Sequence, residues 1–380
     1  MSRPSLLILS YSPLHRDARV LRQIRLLVAD YDVTTCGYGP SPDPRVVEHR
    51  EIPRELVHWH KDRRTTILRL FQRTYDTMPL TRHLRTVLRR GEFDLILAND
   101  VDSVPLAVSL EPRLGVHADL HEFSSRQKEE DRVWRTFVAP FLRWMVRRWV
   151  TRADSVTTVG PGLAAQYAKE FGLEAGVVLN APARADLAPT PVGRPIRLVH
   201  AGNAVPARLE VLLEAMELVT GELTLDLYLV DSGSGYVARL RERYADHPRV
   251  RLHDPVSTDE VVATLNAYDV GVYSLPPISF NFRYALPNKF FDFVQARLAV
   301  VVGPSPEMAA LVREHGLGVV ADDFTPQALA RALDALTRKQ VTGYKQAADA
   351  ASSVLCAEEQ VGRWSSALEA LVRRGERRHG

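Results

Sequence analysis

The stretch Ala285-Leu-Pro-Asn-Lys-Phe-Phe-Asp-Phe-Val-Gln-Ala-Arg-Leu-Ala-Val-Val-Val302 reads as a helix start running into a buried strand. Proline fixes φ and asparagine is a good N-cap, so Leu286-Pro287-Asn288 stops an extended loop and seeds the helix. Lys289 and Asp292 then fall in its first turn, where free backbone N–H groups favour an anion. Phe290, Phe291, Phe293 and Val294 supply apolar bulk. Leu298–Val302 is a short apolar run of the kind that makes an interior parallel strand. Two readings stay open. One is an ordinary capped amphipathic helix. The other is a nucleoside diphosphate site, with Lys289 at the phosphates and Asp292 accepting from ribose hydroxyls.

Outward from this stretch the same alternation fills the chain. Strands are expected at 5–10, 31–35, 95–98, 116–120 and 155–159, with helices at 16–29, 67–90, 104–110, 133–152 and 162–170. A segment with four prolines, 180–195, reads as a linker. Alternation then restarts, with strands at 197–200, 225–230, 250–252, 270–274, 299–302 and 318–320. Helices are expected at 209–219, 236–244, 258–266, 288–296, 307–314 and 327–336, followed by a charged helical tail over 341–374. Strands alternating with helices imply parallel sheets joined by right-handed crossovers. Two blocks imply two Rossmann-like domains with a ligand cleft beyond the strand C-termini. The expected division is 1–183, a linker at 184–195, 196–345, and a helical segment 346–380 returning to the first domain.

Bulk properties narrow the class. At 380 residues the chain exceeds one ordinary core. A net charge of only +3 argues against nucleic acid as partner. Cys36 and Cys356 have no metal-ligand spacing and exclude a disulfide scaffold, so a reducing, cytoplasmic setting is expected. Leu6–Leu9 is too short for a signal segment, and no apolar window reaches ~18 residues.

Other candidate residues cluster after strands. In Leu198-Val-His-Ala-Gly-Asn-Ala-Val-Pro-Ala-Arg-Leu-Glu210, a strand ends, Gly202 and Asn203 turn, and Arg208 precedes a helix. Glycine admits a ligand to the backbone and arginine offers a planar fork to phosphate. A polar turn with a solvated arginine is the plain alternative. The glycine-rich Leu229-Val-Asp-Ser-Gly-Ser-Gly235 is a weaker signal. In the first half, His121 and Glu122 close one strand, Asp100 and Asp102 another, and His15, Arg16 and Asp17 follow the first. Residues 132–152 hold six arginines, three tryptophans, two phenylalanines and no acid. That segment suits either an anionic membrane surface or a core helix with a solvated arginine face, and Pro140 argues against one straight helix.

Taken in order, these segments resemble a glycosyltransferase of the GT-B fold, in the retaining family four (group 1) class. The likeness is carried by Asp17-Ala-Arg-Val-Leu-Arg-Gln-Ile24, Phe93–Asp100, Ala118–Phe123, Ala153–Val159 and Pro287-Asn-Lys-Phe-Phe-Asp-Phe293. The last resembles the family's Pro-x-Lys-x-x-Glu-Tyr donor element. The resemblance implies a nucleotide-diphosphate sugar, UDP- or GDP-linked, as donor, with no cofactor and no metal. Asp292 then binds the ribose, while Arg208 and Lys289 neutralise the diphosphate. Gly202, Asn203 and Asn288 line the donor, and Asn281 and Arg283 are further candidates for its sugar. His121 stands near the reaction centre, with His15, Arg16, Asp17, Asp100 and Glu122 on the acceptor side. The family's two glutamates stand eight residues apart; here Tyr284 occupies the first position and Asp292 the second. Arg297 and Ala299 replace the usual Gly and Pro after the helix. The expected acceptor is a glycan, a lipid-linked sugar or a small molecule in cell-envelope biosynthesis, with a peripheral membrane surface as candidate partner through 132–152. A sugar-nucleotide epimerase of the same fold, or a non-catalytic binding protein, are the alternatives.

Overall fold

The computed structural model describes residues 3–231, 233–257 and 259–379. It divides into two compact units. The first comprises 1–179, 279–281 and 360–380, the second 180–278 and 282–359.

The first unit is a seven-stranded sheet with all neighbours parallel, built from β1 Ser5–Pro13, β2 Asp32–Tyr38, β3 Glu48–Ile52, β4 Leu95–Asn99, β5 Gly115–Leu120, β6 Ser155–Thr158 and β7 Gly176–Val177. Its order is β3-β2-β1-β4-β5-β6-β7. The second unit is a six-stranded parallel sheet of β8 Ile196–Asn203, β9 Leu223–Val230, β10 Val250–His253, β11 Val270–Tyr273, β12 Ala299–Val302 and β13 Gly318–Val320, ordered β10-β9-β8-β11-β12-β13. In both sheets the order reverses beside the first strand, between β1 and β4 and between β8 and β11. Crevices open at such switch points beyond the strand ends, so the residues following β1, β4, β8 and β11 are placed for ligand contact.

Burial explains the elements. Leu6, Ile8, Leu95 and Leu97 pack against Val20, Ile24 and Leu27 of the helix Ala18–Leu27. Leu368 and Leu371 complete that core, so the helix Ala357–His379 is built into the first unit from residue 360 onward. In the second unit Leu198, Leu225, Val270 and Val301 pack against Leu212, Leu213, Leu329 and Leu333. The proline-rich 180–195 has no regular structure. It is fastened to the second unit all the same: Ala185 N–H donates to Gln295, and Arg297 and Lys345 donate to Ala185 O and Thr190.

Several expectations need correction. The helix expected over 67–90 is three short ones, Arg63–Ile67, Phe71–Thr77 and Pro79–Val87, broken at Arg69 (φ +55°) and before Pro79. The segment 132–152 divides as Pro140 requires. Trp134–Val138 winds as a π-helical turn, and a regular helix restarts over Ala139–Arg148. This second half is core, through Phe141, Leu142, Met145 and Val146, while Val133 and Phe137 of the first half stay exposed. The helix expected at 258–266 is formed over Val261–Leu265, and Thr258 lies outside the described residues, as does Ser232 of the glycine-rich turn. No helix among the described residues is long and apolar enough to cross a membrane.

Candidate functional site

In the second unit the strand ends β8 and β11 and two helix starts bring four side chains together. Gly202, at φ +127°, is the last residue but one of β8. A Cβ there would stand 1.8 Å from Lys289 Cε and 2.2 Å from Nζ, so the lysine lies directly over the glycine backbone. The missing side chain is what admits it. Arg208 lies in the first turn of the helix Pro206–Leu218, not ahead of it as the sequence suggested. Its guanidinium donates to the Tyr273 hydroxyl and to Asn203 O (3.4 Å), and its carbon sits 5.4 Å from the Tyr273 ring centre. Its Nε is buried without a hydrogen-bond partner.

His200 completes the cluster. Its ring stacks on Tyr273 with centroids 5.8 Å apart, Nδ1–H donates to Val272 O at 2.9 Å, and Nε2 is buried with no partner. Burial drives its pKa down to about 4, aided by the Lys289 and Arg208 charges, so the imidazole is neutral. Lys289 is also lowered, first by burial and then by repulsion from Arg208, against the pull of Asp292. Two cations held close in a half-buried site are an arrangement that a bound polyanion relieves. Neither His200 nor Tyr273 stood out in the sequence. Tyr273 ends β11 and His200 lies in the second half of β8, both beside the switch point, and that position is the signal that finds them.

The helix Asn288–Gln295 has Pro287 as its N-cap residue, with no side-chain cap. Asn288 is therefore the first helical residue rather than the cap. Lys289 is in the first turn, but Asp292 is the fifth helical residue, one turn further on, so it acts on Lys289 along the helix rather than on the free N–H groups. Arg297, where the family resemblance expects glycine, has φ +60° and is buried. The left-handed backbone explains the usual glycine. Here the cost is offset by donation to Asp349, Gln295 O and Ala185 O.

In the first unit Asp119 is fully buried and held by four donors: Arg19 through Nε and a terminal nitrogen, Gln23 and Thr157, each at 2.7 Å. Burial alone would raise its pKa; Arg19 outweighs that and holds it well below the usual carboxylate range. His121 sits against Asp100 (Nδ1 to Oδ2, 3.2 Å), Asn99 (3.2 Å) and Asp119 (3.5 Å). Burial pulls the imidazole down, but Asp100 and then Asp119 raise it above its ordinary value. Both ring nitrogens face acceptors, an arrangement that favours the imidazolium. Asp100, in a left-handed conformation (φ +62°), also accepts the His121 backbone N–H at 3.0 Å. Glu122 is exposed and accepts from Asn281 at 3.3 Å. Asn281 itself accepts the Phe123 N–H at 3.0 Å, which ties it to the first unit.

His15 and Arg16 leave β1 in a single turn and line a pocket of about 440 Å³ with Tyr11, Tyr38, Arg54 and Trp59. His15 Nδ1 is buried there without a partner. Asp17 caps the helix Ala18–Leu27, accepting from Arg19 N (3.1 Å) and Val20 N (3.2 Å). Asp102 lines a second pocket, apart from Asp100.

Two parallel sheets of this order, with the returning helix, define the GT-B architecture, and the solved structures agree. HepE of Anabaena, solved in complex with UDP and glucose, is 14% identical, with a TM-score of 0.70 over 97% of this chain and 100% of its own. Sucrose-phosphate synthase from Thermosynechococcus elongatus matches 98% of this chain and 100% of its own at 14% identity and TM-score 0.66. The α,α-trehalose 6-phosphate synthase of Burkholderia multivorans does so over 98% and 100%, at 12% identity and TM-score 0.65. At these identities the likeness establishes the fold. Residues 195–339 further match the family described as Glycosyl transferases group 1. Apart from 279–281, that match falls within the second unit, and it includes the segment 287–293 that carries the resemblance. No match is found among curated protein sequences.

Proposed function

We propose that this protein is a retaining glycosyltransferase that takes a sugar from a UDP-sugar, the nucleotide lying in the second unit. The observation that carries the reading is the pair of cations at the end of β8, Lys289 laid over the Gly202 backbone where a Cβ would exclude it and Arg208 held at Asn203 O, a concentration of positive charge that suits a diphosphate. The UDP bound to HepE supports the choice of base. As the glycosidic bond to the donor breaks, negative charge grows on the departing β-phosphate, and both cations stabilise it. They supply the charge that a divalent ion gives in other transferases, so turnover should survive EDTA. Neutral His200, with its free Nε2, accepts a hydrogen bond from the sugar or from Lys289. Asp292 accepts from the ribose. With no nucleophile at this cluster, the leaving phosphate takes the acceptor proton on the same sugar face, and configuration is retained. Protonated His121 orients the acceptor side of the first unit. The enzyme works in the cytoplasm, where Cys36 and Cys356 stay as buried thiols, on a cell-envelope glycan or lipid-linked acceptor.

The test is a thermal-stabilisation screen of nucleotide sugars, since a ligand raises stability by RT ln(1 + [L]/Kd). UDP-sugars should shift the midpoint of the wild type. Arg208→Ala and Lys289→Ala should abolish the shift and cost turnover roughly a hundredfold each, with the fold intact. If both variants keep wild-type turnover, the donor site lies elsewhere.

A further inference from the structure

We infer that the first unit binds an anionic amphiphile, a phosphate-bearing lipid chain, in the pocket of about 670 Å³ between segments 58–67 and 127–142. The inference rests on reading that unit as the acceptor side, and it gives the acceptor a chemical class. The volume lies within the range of small-molecule sites. One wall is Trp134, Phe137, Val138 and Leu142; Ile67 and Trp59 face it. Much of this apolar surface is open to solvent, with Trp59 61%, Ile67 45% and Phe137 36% exposed. Leu68 and Leu70, next in the chain, are exposed as well. Exposed apolar side chains grouped at a concave surface mark a binding site rather than scatter.

The charge at the same pocket selects the head group. Lys61, Arg63 and Lys128 line it against one carboxylate, Asp102. Lys61 is held over the Phe141 ring, 5.6 Å from its centre, and burial lowers its pKa. A cation kept among aromatic rings with a single acid nearby suits a phosphate better than a neutral sugar. Asp102 lines the pocket with Lys61 and stands two residues from Asp100, the carboxylate that carries His121, so the head group at Lys61 is on the His121 side of the unit. The wall departs from regular helix where it lines the pocket: Trp134–Val138 is a π-helical turn, a distortion that recurs at functional sites.

The test uses the full-length protein with dodecyl phosphate below its micellar concentration, followed by tryptophan fluorescence and calorimetry. Dodecyl maltoside, inorganic phosphate, and phosphatidylcholine vesicles with and without phosphatidylglycerol are the other arms. Dodecyl phosphate should bind saturably, one per chain, roughly tenfold or more tighter than either the neutral amphiphile or inorganic phosphate. From octyl phosphate upward, each added methylene should tighten binding roughly three- to fourfold while it still fits the pocket. Phe137→Asp should abolish binding, and UDP stabilisation of that variant shows that it is folded. Lys61→Gln should remove the preference for phosphate over maltoside. Equal binding of charged and neutral heads, no effect of Phe137→Asp, or binding only to anionic vesicles would overturn the inference. UDP binding without amphiphile binding overturns it alone; amphiphile binding without UDP binding overturns the transferase reading alone.

Discussion

Gly202→Ala tests whether Lys289 belongs to the donor site. The new Cβ would stand 1.8 Å from Lys289 Cε, so the ammonium must leave its place over the glycine. The far end of a lysine moves cheaply, and the fold should survive. What remains in the folded state is the backbone strain of a non-glycine residue at φ +127°, about 1–3 kcal/mol. In units of this size that lowers the thermal midpoint by about 2–4 °C per kcal/mol. Moving the ammonium removes a charge-assisted contact to a bound diphosphate, about 1.5–3 kcal/mol, so the Kd for UDP should rise about ten- to a hundredfold. Calorimetric titration of UDP into Gly202→Ala, Lys289→Ala and the double variant separates the routes. If the glycine acts by admitting the lysine, the double variant binds UDP no more weakly than Lys289→Ala alone. Affinity of Gly202→Ala within about twofold of wild type, or losses that add, would refute the reasoning.

Further outcomes are expected in the same framework. Arg19→Met leaves Asp119 buried without its main cation and should cost about 3–5 kcal/mol in urea unfolding; the double change with Asp119→Leu should recover most of it. His121 has its folded pKa raised above the unfolded value near ~6.5, so its stabilisation is complete below that value and is lost as pH rises through the folded pKa. Wild type should therefore lose more stability than His121→Gln across that window, read by thermal melts at a series of pH values. Arg297→Ala keeps the strained left-handed backbone but removes the hydrogen bonds to Asp349, Gln295 and Ala185, and should lower the stability of the second unit by about 2–4 kcal/mol. Chelation by EDTA should leave turnover unchanged, measured as UDP release.

Much of the fold is legible in the sequence because parallel strands are continuous apolar runs. Ala299–Val302 and Leu225–Val230 announce themselves this way. β3, Glu48–Ile52, does not: it is an edge strand of Glu-His-Arg-Glu-Ile, paired through β2 alone, with only Ile52 fully buried. β7 is two residues long, too short for any pattern. The break at Arg69 is invisible because arginine is a good helix former, whereas here it takes the left-handed position that ends a helix, with Leu70 N–H donating back to Thr65 O. At the cluster beside the end of β8, Lys289, Arg208 and Gly202 are named by the sequence, but their meeting depends on a close approach that residue types do not report. His200 and Tyr273 read as strand ends until the order β8–β11 places them side by side.

The helix Ala357–His379 has a consequence for biosynthesis. Leu368, Leu371 and Trp364 are buried in the first unit, with Trp364 stacked 4.8 Å from the Arg19 guanidinium. Domains generally fold as the ribosome releases them, N-terminal part first. Here the first sheet emerges early but lacks one strip of its hydrophobic interior until the whole second unit has been translated. The nascent first unit must therefore wait, with Leu6, Ile8 and Leu95 incompletely covered, for residues made some two hundred positions later. Ribosome stalling or cleavage anywhere in the second unit strands that open interior, which makes this half the one most in need of a chaperone.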